Sequence, residues 1–435
     1  MSTLLFSKKV KETLDNCIED IGSRKSEFVN DPSRNFSRNR KLTLSDVIKA
    51  TLQFGSRSLK NELREYYDYT LDLPTDSALV QQRNKIKSEL FKSLFSQFTN
   101  SFTYGETFKK YRVLAIDGSD INIPHNPSDS ETYIQAKPTS KGYNQIHGNF
   151  IYDLLNKVYV DVSLQVCRKK HERRALIDMM IDSPIDEKVI LIGDRGYEGY
   201  NVYANIIKKG WKFLIRVQCN NDKCMVNTLN LPDTEEFDEI VHRILTPKQA
   251  IAKQDPSLYK YLSSSSPFDF FTPENPVYSI SLRVVKVKLD DGSIQCFVTN
   301  LDKKTFDAED IKELYHMRWG IETSFRDLKH TLALDYLHAK KKESILQEIY
   351  AKLTLYNFCA IITTTVKINK KGLKYDYQIN FSAAVSICKQ FLKTKNAFFP
   401  VEALIKKFIS PIRSGRAYQR NIKGKTFISF NYRVA

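Results

Sequence analysis

No stretch of this chain is both long and apolar enough to cross a bilayer. The longest apolar run, Leu353 to Val366, is interrupted by threonines and falls short of the roughly 20 residues that a spanning helix needs. The opening residues, MSTLLFSKKVKETLDN, lack an extended apolar segment and a small-residue cleavage site, and their spacing predicts an amphipathic helix instead of a secretory leader. The expectation is a soluble, intracellular protein that makes no membrane contact. Cysteine is sparse: the seven (Cys17, Cys167, Cys219, Cys224, Cys296, Cys359, Cys388) are odd in number and scattered, which excludes a disulfide framework and fits reduced thiols. Cys219 and Cys224 are followed by no second Cys or His pair at ligand spacing, so a zinc module is excluded too. There is no internal repeat, and tryptophan occurs twice only, at Trp211 and Trp319.

Negative charge is also short. Fifty acidic residues face 67 basic ones, giving a net charge of +17 and a pI near 9.3, and such an excess attracts polyanions because each cation near a phosphate releases a condensed counterion. With 42% hydrophobic and 12% aromatic residues, the chain can bury a core, which rules out global disorder. Its 435 residues exceed one compact core and imply several units.

Residues 1–105 read as helical, either a DNA-end-binding domain or a helical cap with solvated lysines, with a basic loop DPSRNFSRNRK at 31–41 in which Arg38, Arg40 and Lys41 are candidate DNA contacts. After Thr75 a helix is expected: Leu79, Ile86, Leu90, Leu94 and Phe98 recur at helical spacing, while Arg83, Lys85, Lys87 and Lys92 fall mainly on its surface side. From Tyr111 the texture turns to strands, first a meander and then strands alternating with helices. The expected fold class is therefore α/β, an RNase H-like mixed-sheet catalytic core spanning 106–217 plus 301–340. Between them, 218–300 reads as a β-rich insertion with an Asp-Gly hairpin turn. Residues 341–435 read as a helical C-terminal domain with a basic tail, where Arg413, Arg416 and Arg420 are further candidate phosphate contacts.

Two apolar strands run into aspartates: Val113 to Ile116 leads into Asp117-Gly118, and Val189 to Gly193 leads into Asp194-Arg195-Gly196. Carboxylates at strand ends are placed to share hard cations such as Mg²⁺ or Mn²⁺. A third element is ELYHMRWGIETSFRDLKH. At about 100° per residue, Tyr315, Arg318, Glu322, Arg326 and Lys329 gather on one helical face, and Leu314, Met317, Ile321, Phe325 and Leu328 on another. His147, His171 and Glu172 lie close enough to the expected strands to approach such a site, although a satisfied core or surface role is the simpler reading of each.

The spacing Tyr315, Arg318, Glu322, Lys329 resembles the Tyr-Arg-Glu-Lys signature of bacterial insertion-sequence transposases of the Asp-Asp-Glu class. IDGSD around Asp117, GDRGYEG around Asp194 and RWGIE around Glu322 resemble that family's contexts, over roughly 78–435. The resemblance implies a DNA transposase, cytoplasmic and nucleoid-associated in a bacterium, with Asp117, Asp194 and Glu322 holding two Mg²⁺ or Mn²⁺ ions. It implies end nicking, strand transfer into target DNA through a hairpin intermediate, and a homodimer synapsing two terminal inverted repeats. Tyr315, Arg318 and Lys329 would hold the phosphate near the 5′ end, with Arg326 added from helix geometry. Neither tryptophan lies in the insertion proper, which leaves a residue such as Tyr278 to stack an extruded base. Two rivals share the charge or the fold: an inactive, domesticated DNA-binding protein, and a nuclease that cuts without joining.

Overall fold

The computed structural model describes residues 3–38, 40–135, 137–139, 141–219, 224–289, 291–368, 375–396 and 398–412, with side chains from residue 6 onward. Ten strands form one mixed sheet: β1 (Arg112–Ile123), β2 (Tyr133–Ile134), β3 (Tyr143–Asp153), β4 (Val158–Val166), β5 (Val189–Gly193), β6 (Lys212–Val217), β7 (Phe237–Thr246), β8 (Tyr259–Tyr261), β9 (Tyr278–Lys288) and β10 (Ile294–Thr299). The central order is β4-β3-β1-β5-β6. The first three strands are antiparallel, and β5 and β6 run parallel to β1. Helices Glu172–Ile181 and Tyr200–Lys208 lie in the connections into β5 and β6. This is the RNase H-like strand order the sequence predicted.

Alternation within β1 shows why the sheet is buried on both faces. Val113 and Ala115 join one hydrophobic core, while Leu114 and Ile116 join the other, as the two-residue period of a strand requires. The second core is closed by Leu176, Ile177, Val202 and Ile206 of the two crossover helices. The first is closed by the helices that precede and follow the sheet.

The insertion extends the same sheet. Strand β10 pairs antiparallel with β6, and β9 and β7 follow outward. The hairpin of β9 and β10 turns through Asp291-Gly292, where Gly292 takes φ +79°, a conformation that glycine adopts without steric cost.

Helix Lys342–Thr364 is the hub of the first core, with every residue from Gln347 to Ile362 buried. A helix apolar on all sides must be surrounded, and helices Thr3–Ser23, Leu44–Gln53, Glu89–Asn100 and Phe381–Lys393 surround it. The described helices on either side of the sheet in sequence, from Thr3 to Asn100 and from Lys342 to Lys407, therefore share one core. The apolar run Leu353 to Val366 forms the C-terminal half of this hub, buried as far as Ile362, and its last two residues lie past the helix end. Among the described residues, no helix is long and apolar enough to cross a membrane.

The helix expected after Thr75 is two helices, Asp76–Arg83 and Glu89–Asn100. Thr75 caps the first by accepting from the Ala78 amide at 3.1 Å, in the usual manner of a helix N-cap. The break arises because Ile86 forms a bridge with Val29 and the Lys87 amide donates to the Phe28 carbonyl at 2.8 Å, which takes those groups out of the helical ladder. Leu79, Ile86, Leu90, Leu94 and Phe98 are all fully buried, as their spacing predicted. Arg83 differs from expectation, being 3% exposed and paired with Glu348 at 2.8 Å.

Candidate active site

Asp117 does not end its strand, contrary to the sequence reading. Strand β1 continues to Ile123 because β3 pairs with it as far as Ile123↔Asn144, whereas β5 leaves after Ile116↔Gly193. Asp117 thus stands where the parallel partner stops, and Asp194 directly follows Gly193 on that partner. The two aspartates stand side by side where the parallel pairing of β1 and β5 ends, the kind of position at which ligand crevices of open α/β sheets form. Each is oriented by a nearby glycine: the Gly118 amide donates to Asp117 Oδ1 at 2.8 Å, and the Gly196 amide donates to Asp194 Oδ1 at 2.8 Å.

Glu322 comes from a helical segment that is not one continuous helix. Helix Ala308–Met317 opens with a reciprocal cap between Asp307 and Asp310, helix Trp319–Arg326 follows after Arg318, and Asp327–Thr331 forms a turn of π-helix. A π turn widens the register by one residue, and such turns are frequent at functional sites. Lys329 lies in it and donates to the Asp120 carbonyl of β1 at 2.8 Å. The expected face is consequently divided. Tyr315 is 7% exposed, its ring 4.7 Å from Phe297, whereas Arg326 is exposed on the next helix.

Arg318 is the link between the carboxylates. Its guanidinium lies 2.6 Å from Glu322 Oε1 and 3.4 Å from Asp117 Oδ2, and it is stacked 5.5 Å from the Trp319 ring. Burial is the main reason that the Asp117 carboxyl is pushed up to about 6; Asp194 and Glu322 add to the rise, and Arg318 opposes it. An all-oxygen donor set whose charges repel one another suits a hard divalent cation, which would relieve that repulsion. Among the described residues, no three Asp, Glu, His or Cys side chains converge closely enough to hold an ion unaided.

A raised carboxyl pKa has a consequence for stability. The unfolded chain releases this proton near the ordinary 3.8 and the folded chain near 6, so ionised Asp117 destabilises the fold, increasingly as pH rises between those values. Asp117→Asn is expected to melt at the wild-type temperature or a few degrees higher at neutral pH while its catalysis is lost. A thermal melt showing a fall of several degrees would contradict this account.

Buried polar atoms that find no hydrogen-bond partner among the described residues include Tyr197 Oη, Tyr315 Oη, Arg318 Nε and His147 Nε2. Desolvation, together with Glu172, Asp117 and Asp194, raises the Tyr197 hydroxyl well above its ordinary range, so it stays a neutral donor. Unsatisfied buried donors around carboxylates are what a phosphate-binding crevice provides. Tyr197 was missed in the sequence, although it sits in the same Asp-Arg-Gly-Tyr stretch as Asp194. Glu172 and His147 do reach the site. Gly118 is required there, because a Cβ on it would lie 2.9 Å from the His147 ring and 3.2 Å from Glu172 Oε1. His171 is exposed at the start of helix Glu172–Ile181.

The remaining sequence candidates lie elsewhere. Arg38 and Arg40 line a cleft of about 570 Å³ together with Lys25, Arg34 and Lys85, while Lys41 is paired with Asp72. Tyr278 belongs to an aromatic cluster, its ring 5.2 Å from both Phe268 and Phe270. Trp211 is buried, and Trp319 is 49% exposed. Arg413, Arg416 and Arg420 lie outside the described residues.

Proteins of similar sequence are insertion-sequence transposases. The chain is 27% identical over 366 residues to the transposase InsG of insertion sequence element IS4 from Escherichia coli K12, covering 80% of this chain and 76% of that protein. It is 23% identical over 422 residues to the transposase of insertion sequence element IS1151 from Clostridium perfringens, covering 85% and 81% respectively. A piggyBac transposase synaptic complex with hairpin DNA superposes with a TM-score of 0.49 and 9% identity, over 93% of this chain and 81% of that one, a likeness too slight to argue from. The profile of the transposase DDE domain matches residues 108–358, from the first strand of the sheet into the hub helix, and on that match the chain belongs to the DDE transposase family.

Proposed function

We propose that this DNA transposase nicks the ends of its element and joins the freed 3′-hydroxyl to target DNA, using Asp117, Asp194 and Glu322 as its acidic residues. The observation that supports this most is the electrostatic coupling of the three carboxylates, arriving from β1, the end of β5 and helix Trp319–Arg326. Those three side chains would hold two Mg²⁺ or Mn²⁺ ions, which when bound supply Lewis acidity to the attacking and leaving oxygens of an in-line displacement. Arg318 would exchange its contact with Asp117 for a non-bridging phosphate oxygen, as its planar fork allows. Tyr315 and Lys329 would hold the same backbone, the first through a hydroxyl that has no hydrogen-bond partner among the described residues. Lys329, which already crosses from its π turn to β1, would fix the register of helix against strand.

The finer route is cut-and-paste through a hairpin, with Tyr278 and its aromatic neighbours receiving an extruded base. A homodimer would pair two terminal inverted repeats, as a reaction on two ends requires. The discriminating experiment incubates the protein with element-end duplex, Mg²⁺ and target plasmid, then looks for joined product. Ends nicked but never joined would favour a nuclease of the same fold. End binding with neither nicking nor joining would favour an inactive DNA-binding derivative.

Sequence-independent grip is assigned to the cationic cleft of Arg38 and Arg40. The double variant Arg38→Ala/Arg40→Ala should bind element ends more weakly, and the slope of log affinity against log salt should become shallower by about two, one for each lost phosphate contact. A titration across salt concentrations measures this. An unchanged slope would remove the cleft from the DNA path, and Lys41→Ala, already neutralised by Asp72, should change little.

A further inference from the structure

We infer that Asp120, His147 and Glu172 form a strut that holds the backbone of both catalytic aspartates in place, with His147 as its positioning residue. The inference rests on the assignment of Asp117 and Asp194 as acidic residues of the reaction. Asp120 of β1 and His147 of β3 are register partners, so their side chains stand on the same face of the sheet. His147 Nδ1 lies 2.7 Å from Asp120 Oδ1, and Nε2 lies 3.2 Å from Glu172 Oε1 at the first turn of helix Glu172–Ile181. His147 is 3% exposed. Burial alone would lower its pKa, yet the two carboxylates outweigh burial and raise it to about 9, so the ring carries a charge that both neighbours share.

What the strut touches gives it a role. A Cβ at Gly118 would lie 2.9 Å from the His147 ring, and one at Gly196 would lie 3.5 Å from Glu172 Oε2. These are the two glycines whose amides orient Asp117 Oδ1 and Asp194 Oδ1. The strut therefore backs both peptides that aim the aspartates. Asp120 of the strut also receives Lys329, through its carbonyl at 2.8 Å, which ties the π turn after Glu322 to the same frame. Partners behind a ligand commonly govern metal affinity through orientation instead of contact.

The test titrates Mn²⁺ calorimetrically into full-length wild type, His147→Ala, Glu172→Gln and Asp117→Ala, with plasmid nicking and thermal melting measured alongside. The expected result is a 10- to 100-fold weaker Mn²⁺ affinity for His147→Ala, a smaller loss for Glu172→Gln, and nicking by both that recovers toward wild type as Mn²⁺ is raised. A purely structural role would instead lower the melting temperature and leave the metal dependence of the folded fraction unmoved. Folded His147→Ala with wild-type Mn²⁺ affinity overturns the strut. Should that variant fail to fold, Glu172→Gln with wild-type affinity overturns it equally. If wild type takes up no Mn²⁺ and nicks nothing, or Asp117→Ala matches wild type, the carboxylate assignment itself has failed, which is a different outcome.

Discussion

Asp117→Ala, Asp194→Ala and Glu322→Ala should each lower end nicking by on the order of 10³-fold or more, since Lewis-acid stabilisation worth several kcal/mol is lost at about tenfold per 1.4 kcal/mol. End binding should stay within about threefold, because the cationic cleft at Arg38 and Arg40 lies on the N-terminal segment and not among the carboxylates. Residues acting as one unit are not additive, so any double variant should be scarcely worse than a single one. Nicking of a plasmid carrying the element, with gel-shift measurement of end binding, reads both quantities. Substantial Mg²⁺-dependent nicking by any single variant would end the assignment of that residue, and proportionate loss of end binding would mean that the change had disturbed the fold instead.

The largest effect on stability is expected at Glu348, far from the chemistry. Its carboxylate is completely buried and accepts from Arg83 Nη1 at 2.8 Å, the His338 amide at 2.7 Å and the Ala339 amide at 3.1 Å. Arg83 in turn donates to the Ser344 carbonyl at 2.9 Å. Helix Asp76–Arg83, the segment after the π turn and the hub helix are thereby joined in one polar network. Removing one member of a buried pair strands the other charge, so Glu348→Ala should cost about 3 to 5 kcal/mol, measured by denaturant unfolding. A loss below about 1 kcal/mol would show that water or a rearranged partner satisfies Arg83. Burial would raise the Glu348 pKa, but Arg83 and His338 prevail and hold it far below the ordinary 4.5. The sign follows: this stabilisation is complete above about pH 4.5 and is lost as pH falls toward the depressed value. Wild type should therefore weaken on acidification in that range more steeply than Glu348→Gln.

Much of this arrangement was legible in the residues themselves. The β-strand character of Val113 to Ile116 and Val189 to Gly193, the burial of Leu79, Leu90, Leu94 and Phe98 and the Asp-Gly hairpin turn all follow from local periodicity and turn chemistry, which depend on neighbours a few residues apart. The acidic candidates were legible for the same reason, since each is flanked by its own short motif. What local reasoning misjudged involved partners distant in sequence. Arg83 looked solvated because Glu348 lies 265 positions away. Asp117 looked like a strand end because only β3 reveals that the strand continues. The Tyr315-to-Lys329 stripe looked like one face because a helical wheel cannot anticipate an interruption at Arg318 or a π turn at Asp327–Thr331.

The identities and order of the candidate acidic residues, the apolar strands that carry two of them and a positive charge suited to DNA are legible before any fold is known. Those are properties of composition and short-range spacing. Folding alone sets β1 beside β5, which brings residues 117 and 194 to one end of their parallel pairing. It also decided that Arg318 bridges Asp117 and Glu322, and that His147 stands between Asp120 and Glu172. These outcomes depend on strand pairing and on burial, both of which join groups that no local pattern connects. The burial that does most to raise the Asp117 pKa, and the coupling to Asp194 and Glu322 that adds to it, exist only once the chain has folded.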